Sequence, residues 1–366
     1  MINIAADSQI PQIENRLGEF LNVDYSFKYF DSNSVSASDL KNIDALLVRS
    51  TLFVNQRLCE GTRISYVASA TAGINHLDIN YLDSQNIFWS HAPGCNAFSV
   101  IHYVMAAIGE LIKDNLFNIK KSIGIVGYGN IGRRLYKILK ALNFEVYACD
   151  PFLSHPELVD LDRVLECDLI TIHVPLSEKG KHPTSNLINE SHTKQVSKKI
   201  LINTSRGEII SEALILQSDD LIYISDVWIN EPTPSAKIIK KSYIATPHIA
   251  GYSIEAKHNG TIMILKNFCE TNNLDNDLMD LSKVMEIKNL QPLEDDYISN
   301  GYPVSFFKNL IDVEQISIDF KESFLKKDIP FNNIRNNYEL RNDFLGIKRT
   351  SETNKLSLFS NLYKNI

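Results

Sequence analysis

The chain has 366 residues, 44% hydrophobic and 22% charged, with a formal net charge of -7 and a pI of about 5.8. This composition excludes a disordered chain, the acidic balance argues against a nucleic-acid surface, and the length predicts two or three domains. No apolar run reaches the ~18 residues of a membrane-spanning helix, and the opening M-I-N-I-A-A-D lacks the basic head and apolar core of a signal peptide, so a cytoplasmic protein is expected.

The first ~95 residues alternate strand and helix, with strands expected at 2–5, 45–48 and 66–69, which reads as a smaller α/β domain. Two strand ends carry V-R-S-T, with Arg49 and Ser50, and A-T-A-G-I-N-H-L-D, with Thr71 and Asp78. Both suit a polar ligand, and both also read as ordinary turns. A helix over 97–112 leads into the next region.

Residues 121–150 form one strand-turn-helix-strand unit. The apolar run 123–126 enters G-Y-G-N-I-G (Gly127, Gly129, Asn130, Ile131, Gly132), a helical pattern follows, and a second strand over 146–149 ends on Asp150. Gly127 allows the tight turn, Gly129 lets a pyrophosphate approach the backbone, and Gly132 lets helix and strand pack closely. The phosphates are expected on the free N–H groups of the helix N-terminus. An acid about twenty residues on can accept from the ribose hydroxyls and repels the extra phosphate of NADP, so NAD is the expected cofactor.

Strands at 169–174, 200–203, 222–226 and 243–245 alternate with helical stretches at 162–166, 191–196 and 208–217, the rhythm of a doubly wound parallel sheet. Ligands collect at the carboxyl ends of such strands, and Arg206, Asp226 and His248 all fall there. A helix over 254–269 returns to the first domain, so the nucleotide domain is inserted into it. The two crossing segments make a hinge, and a cleft able to close around substrate is expected. After about residue 280 the alternation stops. Apolar residues recur at Val304, Phe306, Leu310, Ile316, Phe320 and Phe324, and a small third α+β domain is expected.

Three separated stretches carry the chemistry: N-T-S-R-G with Arg206, D-V-W-I-N-E-P with Glu231, and T-P-H-I-A-G-Y-S with His248. An arginine grips a carboxylate with two parallel hydrogen bonds. A histidine exchanges a hydroxyl proton near neutral pH, and a glutamate orients the imidazole and favours its charged form. The five scattered cysteines show no C-x-x-C spacing and suit free buried thiols in a reducing compartment. No H-E-x-x-H or comparable pair implies a metal.

With these motifs in view, the chain resembles the D-2-hydroxyacid dehydrogenase family. G-Y-G-N-I-G, H-V-P-L, I-N-T-S-R-G, D-V-W-I-N-E-P and P-H-I-A-G are its general marks. V-R-S-T, A-T-A-G-I-N-H-L-D, A-P-G-C-N-A, G-N-I-G-R-R-L and H-I-A-G-Y-S resemble a narrower subfamily that oxidises 4-phospho-D-erythronate on the route to pyridoxal 5'-phosphate. The tail F-N-N-I-R-N-N-Y-E-L-R-N-D-F is similar to that subfamily's extra C-terminal domain.

The resemblance implies a Rossmann-type doubly wound sheet (96–251) inserted into a smaller flavodoxin-like α/β domain (1–95 with 252–280). It further implies a C-terminal α+β dimerisation domain (281–366), and hence a homodimer. It implies Arg206, Glu231 and His248 as catalytic residues and Ser50, Thr71 and Tyr252 as substrate contacts. Asp150, Val174, Thr204, Ser205, Arg206, Asp226 and Gly251, with the glycine loop, would meet NAD. Val174 replaces a threonine common in the family, so only a backbone or packing contact carries over, and His102 stands where an acidic residue is common. For the substrate phosphate, Arg49 is one candidate, and Arg335 or Arg341 from a partner subunit's tail is another. The alternatives are a sister enzyme acting on glycerate, lactate or 3-phosphoglycerate, and an NADH-sensing protein without turnover.

Overall fold

In the computed structural model, which describes residues 1–21, 23–274 and 311–343, the short apolar runs become parallel strands in two sheets. Each sheet belongs to its own unit, one made of residues 1–97 with 253–274 and the other of 98–252 with 311–343.

The first unit holds β1 (Ile2–Asp7), β2 (Tyr25–Phe30), β3 (Ala45–Val48), β4 (Tyr66–Ser69) and β5 (Phe88–His91) in the order β2-β1-β3-β4-β5. This is the flavodoxin-like order. Alternation puts Ile4, Ala6, Leu47 and Ala68 on one face, packed with Ile264, Leu265 and Phe268 of the helix Ile254–Thr271. Ala5, Leu46, Val48 and Val67 pack on the other face with Leu40, Val54 and Leu82. Beyond the expected strands, β2 and β5 lie at the two edges.

The second unit holds β6 (Ser122–Val126), β7 (Glu145–Cys149), β8 (Leu169–Ile172), β9 (Ile200–Asn203), β10 (Ile222–Ser225) and β11 (Ile244–Ala245), in the order β11-β10-β9-β8-β6-β7. Leu158 adds an isolated parallel bridge to Ala148 of β7, where a further strand of a nucleotide-binding sheet would lie. The strand order reverses between β6 and β8, which opens a crevice at their carboxyl ends. The helix Ala97–Lys113 is buried on almost every face and packs with Ile123, Ile125, Ile202 and Ile224.

The helical stretch expected at 208–217 is split into a turn, Gly207–Ile209, and a helix, Glu212–Gln217. Ile210 is extended between them because it bridges Ile188. Of the expected third domain, 281–310 and 344–366 lie outside the described residues. The described part carries two helices, Val313–Leu325 and Phe331–Asn336. The first covers the edge strand β11. Ala245 N–H donates to Ser317 Oγ at 2.9 Å, and Lys321 Nζ donates to the carbonyls of Ser242 and Tyr243 at 2.5 and 3.2 Å. Backbone groups that would otherwise offer an open edge are thereby satisfied.

Candidate active site

The glycine loop follows β6. Gly127 has φ of 97°, a conformation glycine adopts without steric cost. A Cβ on Gly132 would stand 1.9 Å from Gly127 O, so only glycine lets the helix Gly132–Ala141 start so close to the turn. Gly129 differs, since a Cβ there would meet nothing within 4 Å. Its bare backbone faces open space, and no side chain caps the helix at Ile131. A pyrophosphate fits both features. Asn130 is tied to the helix by Arg133 and Arg134, which donate to its Oδ1 at 3.1 and 3.3 Å.

Asp150 directly follows β7 and accepts from Tyr128 N–H at 3.0 Å and Phe152 N–H at 3.1 Å. It therefore shapes the loop, while its two oxygens retain lone pairs for ribose hydroxyls. Val174 lies past the end of β8, its Cγ1 against the Gly127 turn. The loop elements expected to meet NAD thus converge where the strand order reverses.

Beyond β9, Asn203 braces the arginine-bearing loop: its Oδ1 accepts from Ser205 N–H at 3.1 Å and its Nδ2 donates to Arg206 O at 2.9 Å. Ser205 Oγ donates to Ile172 O at 2.7 Å, and Thr204 Oγ1 lies 3.5 Å from His173 Nδ1. Arg206 Nη1 donates to Ser205 O at 2.7 Å. Burial lowers the Arg206 pKa, while the carboxylates of Glu231 and Glu208 oppose that shift.

Glu231 Oε1 accepts from Trp228 N–H at 2.9 Å, which leaves Oε2 to meet His248 Nδ1 at 2.7 Å. Burial alone would raise the Glu231 pKa, but the His248 charge and hydrogen bond outweigh it and lower it, with help from Trp228 N–H and Arg335. A carboxylate on Nδ1 holds the ring with Nε2 as the nitrogen left for chemistry.

Asp226, expected as a cofactor contact, is 1% exposed and heavily engaged within the protein. Oδ1 accepts from Thr246 Oγ1 at 2.6 Å and Ile249 N–H at 2.8 Å, and Oδ2 accepts from Ala250 N–H at 2.8 Å. Tyr103 OH lies 2.8 Å from Thr246 Oγ1. The histidine loop therefore hangs from a buried carboxylate.

Arg335 and Arg341 both lie within this chain's own second unit. Arg341 donates to the carbonyls of Ser99, Ile249, Ala250 and Tyr252 at 2.7 to 3.2 Å, so its guanidinium braces the segment carrying Gly251 and Tyr252. Arg335 stands 5.3 Å from the centroid of the Tyr252 ring, within cation–π range. Its charge acts on both Arg206 and Glu231. Sequence reasoning missed Asn203 and Thr246, although Thr246 precedes the P-H-I-A-G motif. Ser50 and Thr71 lie in the first unit, each just past a strand end. Thr71 Oγ1 there is 2.8 Å from Ser69 Oγ, which meets the buried His76 Nε2 at 2.8 Å.

A nucleotide loop beside an arginine and a carboxylate-held histidine defines a dehydrogenase acting on a hydroxy acid. Residues 115–250 match the family model described as D-isomer specific 2-hydroxyacid dehydrogenase, NAD binding domain, and the cofactor is NAD. Solved structures share the fold. NAD+-bound 3-phosphoglycerate dehydrogenase of Entamoeba histolytica gives a TM-score of 0.63 at 22% identity, over 74% of this chain and 95% of that one. D-lactate dehydrogenase of Aquifex aeolicus gives 0.58 at 20% identity, over 74% and 96%.

Among curated relatives, the erythronate-4-phosphate dehydrogenase of Coxiella burnetii (strain RSA 331 / Henzerling II) is 34% identical over 96% of this chain and 95% of its own length. Those of Hahella chejuensis and Acinetobacter baylyi are 38% and 39% identical, over 73% and 72% of this chain and 71% and 72% of theirs. The chain belongs to the erythronate-4-phosphate dehydrogenase family. No helix among the described residues is long and apolar enough to cross a membrane.

Proposed function

We propose that this chain oxidises 4-phospho-D-erythronate to (R)-3-hydroxy-2-oxo-4-phosphooxybutanoate with NAD, in the synthesis of pyridoxal 5'-phosphate. The observation that carries the reading is the 2.7 Å pairing of His248 Nδ1 with Glu231, in a unit that also holds Arg206 and the glycine loop. Arg206 anchors the substrate carboxylate. His248 Nε2 takes the proton of the C2 hydroxyl, and Glu231 stabilises the imidazolium that results. NAD, when bound, accepts the hydride that leaves C2, and C2–O becomes a carbonyl. His248 then releases its proton to solvent.

Ser50, Thr71 and Tyr252 are the proposed substrate contacts. By role, 1–95 with 252–280 serve the substrate, 96–251 serve NAD, and 281–366 join two copies into a cytoplasmic homodimer. Sedimentation equilibrium of the full chain tests the pairing, and a monomer would refute it.

The catalytic assignment is tested with His248→Asn. NADH affinity is expected to hold while turnover of 4-phospho-D-erythronate falls roughly 100- to 10,000-fold. Unchanged turnover would overturn the role of His248.

A further inference from the structure

We propose that Arg49 and Lys257 form a phosphate-binding site in the unit made of residues 1–97 and 253–274. Its ligand would be the phosphate of a phosphorylated hydroxy-acid substrate, a step that rests on the function proposed above.

The fold brings the two cations to the same end of one sheet. Parallel pairing aligns Val48 of β3 with Ser69 of β4, and Ala70 N–H donates to Val48 O at 2.9 Å. Arg49, Ala70 and Thr71 therefore leave the sheet side by side. The helix Ile254–Thr271 begins against this end: a Cβ on Gly260 would lie 2.4 Å from Ala70 O, a gap only glycine permits. Thr261 Oγ1 donates to Pro11 O at 3.2 Å, and Asn259 Nδ2 donates to Cys95 O at 3.4 Å. Lys257 stands three and four residues before Gly260 and Thr261, so it shares their face of the helix. Arg49 Nη1 donates to Gln9 O at 3.2 Å, two residues from Pro11.

Both side chains belong to half-buried residues, and among the described residues neither forms an ion pair. Burial, and after it the Arg49 charge, lower the Lys257 pKa to about 8. Two neighbouring cations partly withdrawn from water repel each other. A dianion between them removes that repulsion and gains charge-assisted hydrogen bonds from both. The ligand class is a phosphate monoester. Ser50 adjoins Arg49 in sequence and Thr71 leaves the neighbouring strand end, so both offer hydroxyls to the same ligand.

The test uses the full-length protein, wild type and with Lys257→Met, Lys257→Arg or Arg49→Met. It compares kcat/KM for 4-phospho-D-erythronate and D-erythronate, together with competitive inhibition by inorganic phosphate. The expected result is a preference for the phosphorylated substrate that drops roughly 10- to 100-fold in either Met variant. Phosphate inhibition should weaken in parallel, and Lys257→Arg should restore most of both.

Equal losses on both substrates, or phosphate inhibition untouched by Lys257→Met, would overturn the site. If Lys257→Met lowers the thermal transition, the contrast between Lys257→Gln and Lys257→Arg decides in the same way. A wild-type protein indifferent to the phosphate on its substrate would refute the proposed function instead, and phosphate inhibition abolished by Lys257→Met would then still uphold an anion site.

Discussion

His248 meets Glu231 at 2.7 Å while its own backbone sits in the left-handed region, with φ of 59°. A non-glycine residue held there stores strain that the surroundings must sustain. Here Asp226 does so, by fixing the N–H groups of Ile249 and Ala250 directly after His248. The ring's aim at Glu231 is thus set from the buried side of the loop.

Asp226→Asn should therefore act twice. The amide turns a donor toward a backbone N–H, so stability should drop by about 2 to 3 kcal/mol, and turnover should fall as the loop loosens. Urea unfolding and steady-state kinetics check this. A stable variant with full turnover would show that Asp226 is dispensable to the loop. Burial raises the Asp226 pKa, against the His248 charge and the hydrogen bonds from Thr246, Ala250 and Ile249, which favour the carboxylate.

The glycines of the nucleotide loop separate folding from binding. Gly129→Ala meets open space, so the thermal transition should hold while NADH affinity falls about tenfold or more, some 1.4 kcal/mol. Gly132→Ala clashes with Gly127 O and should destabilise the protein itself. Differential scanning calorimetry with NADH titration distinguishes the two. Equal effects at both positions would contradict the loop geometry.

Acid should weaken the fold well above the carboxylate range. Burial lowers the pKa of His76 to about 4 and of His173 to about 3, and pushes His102 well below its ordinary value. The unfolded chain takes up protons near pH 6.5 that the folded chain refuses. Stability is therefore fully present above that pH and is lost as pH falls toward 4 and 3, at about 1.4 kcal/mol per pH unit for each histidine. Urea midpoints measured from pH 7.5 to 5 check the slope, and a flat profile would count against it.

Arg341→Met should remove the brace on residues 249–252 and lower stability by about 3 kcal/mol, since several buried carbonyls lose a charged donor together. The ratio of kcat/KM for phosphorylated and unphosphorylated substrate should stay the same. A collapse of that ratio would return Arg341 to the substrate phosphate.

Local signals in the sequence reached the nucleotide loop well, because Gly127, Gly132 and Asp150 act within one strand-turn-helix-strand unit. Strands with buried apolar runs, such as β3 and β9, were equally legible. The edge strands β2 and β5 were not, since Tyr29 and Phe88 leave large apolar groups exposed and blur the alternation. The break at Ile210 depends on a bridge to Ile188, twenty-two residues earlier in the chain. The same holds at the site. Arg206, Glu231 and His248 stand in recognisable motifs, whereas the tasks of Asp226, Arg341 and Lys257 arise from partners distant in sequence.

The most direct test is a single-turnover absorbance measurement. The protein and NAD are mixed with 4-phospho-D-erythronate and, in parallel, with D-glycerate, D-lactate and 3-phosphoglycerate, so that tightly held NADH cannot mask activity. Fast reduction of NAD confined to 4-phospho-D-erythronate is the predicted result. Equal or faster reduction with another of these hydroxy acids would contradict the proposed substrate.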